Sequence, residues 1–233
     1  MKTAIITGGG SGIGLAAAQA LTRSDFRVGL VGRRADVVRA AADEIVQAGG
    51  EAWWAALDVR DAAGAAGFVA DIVQRFGQID LLINNAGVFK LTPFENLTLD
   101  EWHDTLDINL TGAFVWSKAV WPHIAGGQII NVSSVAGVEP YPGCAAYSAS
   151  KYGLMGLSEV LALEGKARGI RVHALCPGNT QTPAWHGQAP AAVQARMMSP
   201  EDIAEVIRWL AVSPPHLTFD AITVRPQRDP WKA

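Results

Sequence analysis

The run Thr7-Gly-Gly-Gly-Ser-Gly-Ile-Gly14 constrains the fold more than any other stretch of this chain. It follows a short apolar segment, Ala4 to Thr7, and leads into Ile13, Ala17, Ala20 and Leu21 at helical spacing. The pattern predicts a strand, a glycine turn and a helix. A helix opening presents free backbone N–H groups and the positive end of its dipole, which suits a phosphate group. A dinucleotide carries a doubly charged pyrophosphate, and close backbone approach requires positions without side chains. The spacing Gly8-x-x-x-Gly12-x-Gly14 differs from the G-x-G-x-x-G fingerprint, so the turn alone also reads as a tight strand-to-helix connection.

The rest of the chain repeats that alternation. Strands are predicted over 27–31, 52–57, 79–83, 128–132, 171–175 and 221–224. Between them lie helical patterns over Ala35 to Ala48, from Asp61 to Phe76, from Thr98 to about Trp121, over Ala145 to Gly165, and from Ser199 onward. Their boundaries carry local chemistry. Gly49-Gly50 stops one helix and Asp61 caps the next. Thr98 and Glu101 have the spacing of a capping box, and Ser199-Pro200 places a cap before a proline at the first helical position. Strands separated by helices imply a parallel sheet covered on both faces. The expected architecture is α/β, a doubly wound Rossmann-type sheet of about seven strands. No linker or repeat interrupts it, so residues 1–233 read as one domain. Residues 183–198, rich in Ala and Gln after a strand end, are the candidate substrate lid.

Composition excludes several classes. A net charge of −3 gives no basic field for nucleic acid. No segment approaches the ~20 apolar residues of a membrane helix, and the apolar start is too short for a signal peptide. Cys144 and Cys176 have neither metal spacing nor a disulfide framework, and no His/Cys/Asp cluster suggests a metal. A cytoplasmic protein whose thiols are packing residues is expected.

These features, taken with five further motifs, resemble the short-chain dehydrogenase/reductase family. Its Thr-Gly-x-x-x-Gly-x-Gly motif stands at Thr7 to Gly14, spanning Gly8, Gly10, Ser11, Gly12, Ile13 and Gly14. Its Asn-Asn-Ala-Gly motif stands at Asn84 to Gly87 after the fourth strand, including Asn85 and Ala86. Tyr147 and Lys151 form its Tyr-x-x-x-Lys pair, and Ser134 lies thirteen residues before the tyrosine. Pro177-Gly178 is followed by Thr180 and Thr182, and Asn109 lies within Ile-Asn-Leu-Thr-Gly. Pro200-Glu-Asp-Ile-Ala204 is also typical. The resemblance implies a nicotinamide dinucleotide held by the glycine loop. It further implies that Asp58 bonds the adenine amino group, that Val59 adds a backbone contact, that Lys151 holds the nicotinamide ribose beside Tyr147, and that Ala86, Pro177, Gly178, Thr180 and Thr182 also contact the cofactor.

The residue ending the second strand lies beside the adenosine ribose, where an acid would repel a 2′-phosphate. This chain has Gly32-Arg33-Arg34 there. A guanidinium grips phosphate through a fork of donors, so NADP(H) is expected over NAD(H), with Arg33 and Arg34 as phosphate ligands. The alternative is a pair of solvated loop charges. Asn85 and Gly87 would line the adenosine side, or serve only as turn residues.

Tyr147 and Lys151, four apart, share a helix face. A free tyrosine has a pKa near ~10, and a nearby cation is expected to lower it. Tyr147 then fits a general acid for ketone reduction and a general base for alcohol oxidation. Tyr152 lacks a lysine partner, with Gly156 four residues on. Ser134, at the carboxyl end of the fifth strand, can donate to a carbonyl oxygen, and Ser133 is its neighbouring alternative. By resemblance, Asn109 bends its helix and holds a water linking Lys151 to solvent.

The chain therefore reads as an NADP-dependent carbonyl reductase or alcohol dehydrogenase. A non-catalytic NADPH sensor and an epimerase or dehydratase are the competing readings. The first would predict a damaged triad and the second a longer substrate domain. The lid has few charges, so a small or apolar carbonyl compound is expected over a carrier-bound one; Trp185 and His186 read either as substrate contacts or as ordinary loop residues. The ending Phe219 to Pro226 departs from the family's glycine-rich one. Ala145, Ala146, Ser148 and Ala149 around Tyr147 would let helices approach closely. They suggest a homodimer or homotetramer through this helix and 104–116, or simply tight packing within one chain.

Overall fold

Residues 1–232 are described in the computed structural model. Seven strands form one sheet: β1 (Lys2–Thr7), β2 (Phe26–Gly32), β3 (Ala52–Ala56), β4 (Leu81–Asn84), β5 (Gln128–Val132), β6 (Arg171–Pro177) and β7 (Ala221–Val224). Every pairing is parallel, and the order is β3-β2-β1-β4-β5-β6-β7. The order reverses between β1 and β4, which opens a crevice at their carboxyl ends. Each crossover runs through helix: α1 (Gly12–Thr22), α2 (Ala35–Gln47), α3 (Ala62–Phe76), α4 (Leu99–Leu106), α5 (Gly112–Val120), α6 (Ala145–Gly165), the short α7 (Ala191–Gln194) and α8 (Pro200–Val212).

The alternation of side chains along each strand explains the two layers. Ala4 and Ile6 of β1 pack with Leu21 of α1, Ile45 of α2 and Ile207 of α8. Ile5, between them, points the other way into Val69 and Ile72 of α3 and Trp116 of α5. Both faces of the central strands are therefore apolar, as a parallel sheet requires. β7 at the edge alternates exposed and half-buried.

Of the three helix starts whose caps the sequence marks, two hold in full and one only in half. Asp61 accepts from the Gly64 N–H, and Ser199 forms a full capping box with Asp202. Thr98 accepts from the Glu101 N–H at 3.2 Å, but the reciprocal half of its capping box is absent. Glu101 is drawn away by Lys90 at 2.5 Å and by the Thr92 hydroxyl, which are stronger partners than a backbone N–H. The helix expected to run from Thr98 to Trp121 is also interrupted. Asp107–Thr111 forms a π turn between α4 and α5. Such bulges mark places where a helical side chain is turned toward a site.

Candidate active site

The glycine loop joins β1 to α1 at the edge of the crevice. Gly12 has φ +54°, a left-handed conformation that disfavours side chains. A Cβ on Gly14 would lie 2.3 Å from the Gly8 carbonyl oxygen, so α1 can reach the loop only with glycine there. Ser11 caps α1 without a side-chain capping bond, and its helix opens onto the cleft. The loop is tied to the next crossover through Thr7. Its hydroxyl accepts from the N–H groups of Asn85 at 3.0 Å and Ala86 at 3.1 Å. Asn85 itself donates to the carbonyls of Thr7 and Gly8, so its amide braces the loop. Behind the loop, Asn84 donates to Asn131 and Ser117, and Asn131 donates to Ser158, a buried polar ladder across β4, β5, α5 and α6.

A cleft of about 1140 Å³ runs from this loop past Gly8, Ser11, Gly12 and Ile13 to Tyr147 and Lys151. A second depression of about 450 Å³ adjoins it, lined by Gly10, Arg33, Arg34, Asp58 and Val59. Arg33 and Arg34 are exposed, and neither forms an ion pair among the described residues. Asp58 is held differently. Arg60 grips its carboxylate at 2.7 and 2.9 Å, and this pairing lowers its pKa to about 2. Asp58 is thus an ionised acceptor on the cleft wall.

The titratable centre lies at the carboxyl end of β5. Ser134 is extended and its hydroxyl accepts from the Ala136 N–H at 3.1 Å, which leaves its own proton for another acceptor. Ser133 instead donates to the Lys151 carbonyl. Tyr147 is half-buried and Lys151 is buried, whereas Tyr152 is exposed. The Lys151 ammonium lies 5.6 Å from the centre of the Tyr147 ring.

Electrostatics correct one expectation here. Burial pushes the Tyr147 phenol up to about 12, with the Ser134 hydroxyl pulling the other way. The nearby lysine does not lower it, because burial drives Lys151 down to about 8 as well. At neutral pH the phenol is therefore protonated and Lys151 still carries most of its charge, which it sheds above about pH 8.

Lys151 has capacity to spare. Its ammonium has three donors and bonds only the Val132 carbonyl, at 2.9 Å, among the described residues. Asn109, in the π turn, donates to the Val88 carbonyl and to Ser150, and accepts from the Val88 N–H at 2.8 Å. Gly87 lies between them. A Cβ there would sit 3.2 Å from the Asn109 carbonyl oxygen and 3.7 Å from the Lys151 nitrogen. The glycine keeps a small polar gap open between the two side chains.

The far wall comes from the segment after β6. Pro177, Gly178, Thr180 and Thr182 line it, and Thr182 packs against Gly12. Thr180 spends its hydroxyl on the Gly178 carbonyl. Residues 183–198 are better ordered than a loose lid. They contain the turn Pro183–Trp185 and α7, and a Thr180–Met198 bridge ties the flanks. Trp185 and His186 line the cleft, as do residues not foreseen from sequence: Phe89, Tyr141, Gln188, Arg225 and Trp231. For Phe89, Tyr141 and Trp231 a ring is the only signal in the sequence, Gln188 and Arg225 carry none, and nothing local links positions 89, 185 and 231.

The described helices include none long and apolar enough to cross a membrane, and the described residues hold no cluster of three potential metal ligands.

Comparison with known proteins extends the geometry. The family described as short chain dehydrogenase matches residues 2–192. The chain is 36% identical to a D-threitol dehydrogenase of Mycolicibacterium smegmatis, over 90% of this chain and 85% of that protein. It is 35% identical to a 3-oxoacyl-[acyl-carrier-protein] reductase of Synechocystis, over 91% of this chain and 90% of that protein. An alcohol dehydrogenase from the archaeon Thermococcus sibiricus, solved with 5-hydroxy-NADP, superposes with a TM-score of 0.90. It is 27% identical, over 97% of each chain.

Proposed function

The chain belongs to the short-chain dehydrogenase family and is an NAD(P)-dependent oxidoreductase; from that premise we propose that it reduces a carbonyl group, or oxidises the matching alcohol, with NADP(H). The observation that carries this reading is the gathering of Ser134, Tyr147 and a buried, singly bonded Lys151 on the cleft that also contains the glycine loop.

The residues present fit the cofactor. The opening of α1 offers N–H groups to a pyrophosphate, and the spare donors of Lys151 suit ribose hydroxyls. Asp58 accepts from the adenine amino group beside Val59. Asn85, Ala86 and Gly87 wall the adenosine side, and Pro177, Gly178, Thr180 and Thr182 the nicotinamide side. Arg33 takes the 2′-phosphate, with Arg34 beside it. When bound, the nicotinamide supplies or accepts the hydride at C4.

Ser134 donates to the carbonyl oxygen as negative charge develops there. Tyr147 gives that oxygen its proton in reduction and takes it back in oxidation. Lys151, with a pKa of about 8, can reload the phenol near neutral pH. The gap kept open by Gly87 leaves room for a water between Lys151 and Asn109. In this reading one domain carries both the cofactor and the catalysis, and residues 183–198 close over the substrate.

The apolar residues Phe114, Tyr152, Val160 and Leu163 are exposed on α5 and α6, which supports a homodimer or homotetramer through these helices. Two free, buried cysteines suit the cytoplasm.

The test is loss of NADPH absorbance with a carbonyl panel, beside Tyr147→Phe and with NADH as control. Turnover that needs Tyr147 and prefers NADPH is expected. Turnover unchanged in Tyr147→Phe, or faster with NADH, refutes the corresponding half.

A further inference from the structure

We propose that the substrate is a flat, uncharged aryl ketone or aryl carbinol, recognised by a wall of aromatic rings that three distant segments build beside Tyr147. This deepens the NADP-dependent carbonyl chemistry proposed above and rests on it. The rings form one continuous series. Phe89, after β4, meets Tyr147 edge-on at 4.8 Å between centroids. Trp185, in the lid, tilts against Phe89 at 4.9 Å. Trp231, near the end of the chain, tilts against Trp185 at 6.1 Å. The series starts at the proposed proton donor, so a ketone seated at Tyr147 extends its substituent along these ring faces and edges. Aromatic pairs favour such offset and edge contacts with another ring, and a flexible alkyl chain gains less from them.

Charge at this end of the cleft narrows the class further. Glu139 and Arg225 line it, but they pair with each other at 2.7 Å. Asp229 accepts from the Trp231 N–H and faces Lys232 at 3.6 Å. Each of these acidic and basic groups already has a partner, so an ionic substituent would break a pair to find its own. Of the other charged groups lining the cleft, Arg34 lies at the glycine-loop end and Lys151 lies beside Tyr147, where the proposed chemistry uses it.

One side chain holds the wall in place. Gln188 accepts from the Leu91 N–H at 2.7 Å and donates to the carbonyls of Phe89 at 2.9 Å and Ala184 at 2.7 Å. It therefore clamps the segment carrying Phe89 to the lid carrying Trp185. Gln188 is a positioning residue, since its polar atoms are spent on backbone.

The experiment compares acetophenone, 2-octanone and 4-acetylbenzoate as substrates of the full chain with NADPH. They offer a neutral ring, a neutral chain and a charged ring. Acetophenone is expected to exceed both others in kcat/KM by about tenfold, a typical discrimination for one apolar subsite. Trp185→Ala is expected to remove that preference by raising KM for acetophenone about tenfold while kcat and the NADPH KM hold, and Trp185→Phe to restore most of it. Trp231→Ala provides a second variant at an exposed position, with a smaller effect in the same direction.

Equal rates on all three ketones overturn the proposal, as does preference for 4-acetylbenzoate or an equal loss on acetophenone and 2-octanone in Trp185→Ala. If no ketone is turned over, acetophenone binding to the NADP-loaded protein is read by tryptophan fluorescence in wild type and Trp231→Ala. Saturable binding weakened by Trp231→Ala supports the ring wall and refutes the reaction. No binding refutes the wall.

Discussion

The two ends of the cleft are built from different materials. At the glycine-loop end the walls are mostly backbone: the opening of α1, the turn at Asn85 to Gly87, and the carboxyl ends of β1 and β4. Side chains there, such as Thr7 and Asn85, serve to fix that backbone. At the far end the walls are side chains, Phe89, Trp185, Gln188 and Trp231, brought from segments nearly a hundred residues apart. A backbone-built site depends on a few positions where any side chain intrudes, as at Gly14. A site built of side chains can change its contents while the fold stays as it is. The first kind suits a constant ligand and the second a variable one.

The hinge between the two ends is Tyr147, and the largest effect is expected there. Tyr147→Phe should lower kcat about 10²- to 10⁴-fold, the usual worth of a general acid, while the dissociation constant for NADPH stays the same. Stopped-flow turnover beside fluorescence titration of NADPH checks both. A large loss of NADPH affinity would mean that the phenol belongs to the cofactor end, and the two-ended division would fail.

Lys151 gives the next effect, read through pH. Its pKa falls from 10.5 in the unfolded chain to about 8 in the fold. Between those values the unfolded chain holds the proton and the folded chain does not. Stability from this group therefore rises with pH through that window and is lost as pH falls through about 8. Tyr147 acts in the opposite sense above about 10, where only the folded chain keeps the phenol proton. Lys151→Met removes the buried charge. Its stability advantage over wild type, from urea unfolding without ligand, should shrink by about 2 kcal/mol between pH 7 and pH 10. A constant difference would show that Lys151 stays charged in the fold.

Arg33→Ala tests the backbone-built end at a charged side chain. NADPH affinity should fall about tenfold, the scale of one or two charge-assisted hydrogen bonds, while NADH affinity holds. Equal loss for both cofactors would show that Arg33 shapes the depression without reading the phosphate.

The same division explains what the sequence made legible. The sheet, its order of elements and the glycine loop follow from local periodicity and from residues such as Gly12 and Gly14, whose roles are steric and nearly context-free. Tyr147 and Lys151 were legible because four residues along one helix fix their relation, and Ser134 was singled out through the family resemblance. The π turn at Asn109 was less so. Periodicity reads its helix as continuous, and only the family resemblance implies a bend at Asn109, since the turn coincides with contacts to Val88 and Ser150 that no window of sequence contains. The half-formed box at Thr98 fails for a similar reason, since Lys90 and Thr92 compete for Glu101 only in three dimensions. The ring wall is the extreme case. Its members share no motif, and Trp231 reaches the lid only because the chain turns back after β7.

The smallest effect is expected from the clamp that joins these distant pieces, and it is the sharpest probe of the side-chain-built end. Gln188→Ala removes two hydrogen bonds that bridge the Phe89 segment to the lid and one within the lid. All three lie at half-buried or exposed positions, where water replaces much of what is lost, so each contributes at the low end of about 0.5–1.5 kcal/mol. Global stability should hardly move, because the sheet and both core layers are untouched. KM for the ketone should rise about threefold to tenfold, with kcat and the NADPH KM preserved. Gln188→Glu keeps the acceptor for the Leu91 N–H but loses the donors to Phe89 and Ala184, so it should fall between wild type and alanine. A fall in kcat instead would place the clamp in service of Tyr147, which Phe89 touches edge-on, and the far end of the cleft would then help to orient the proton donor as well as the substrate.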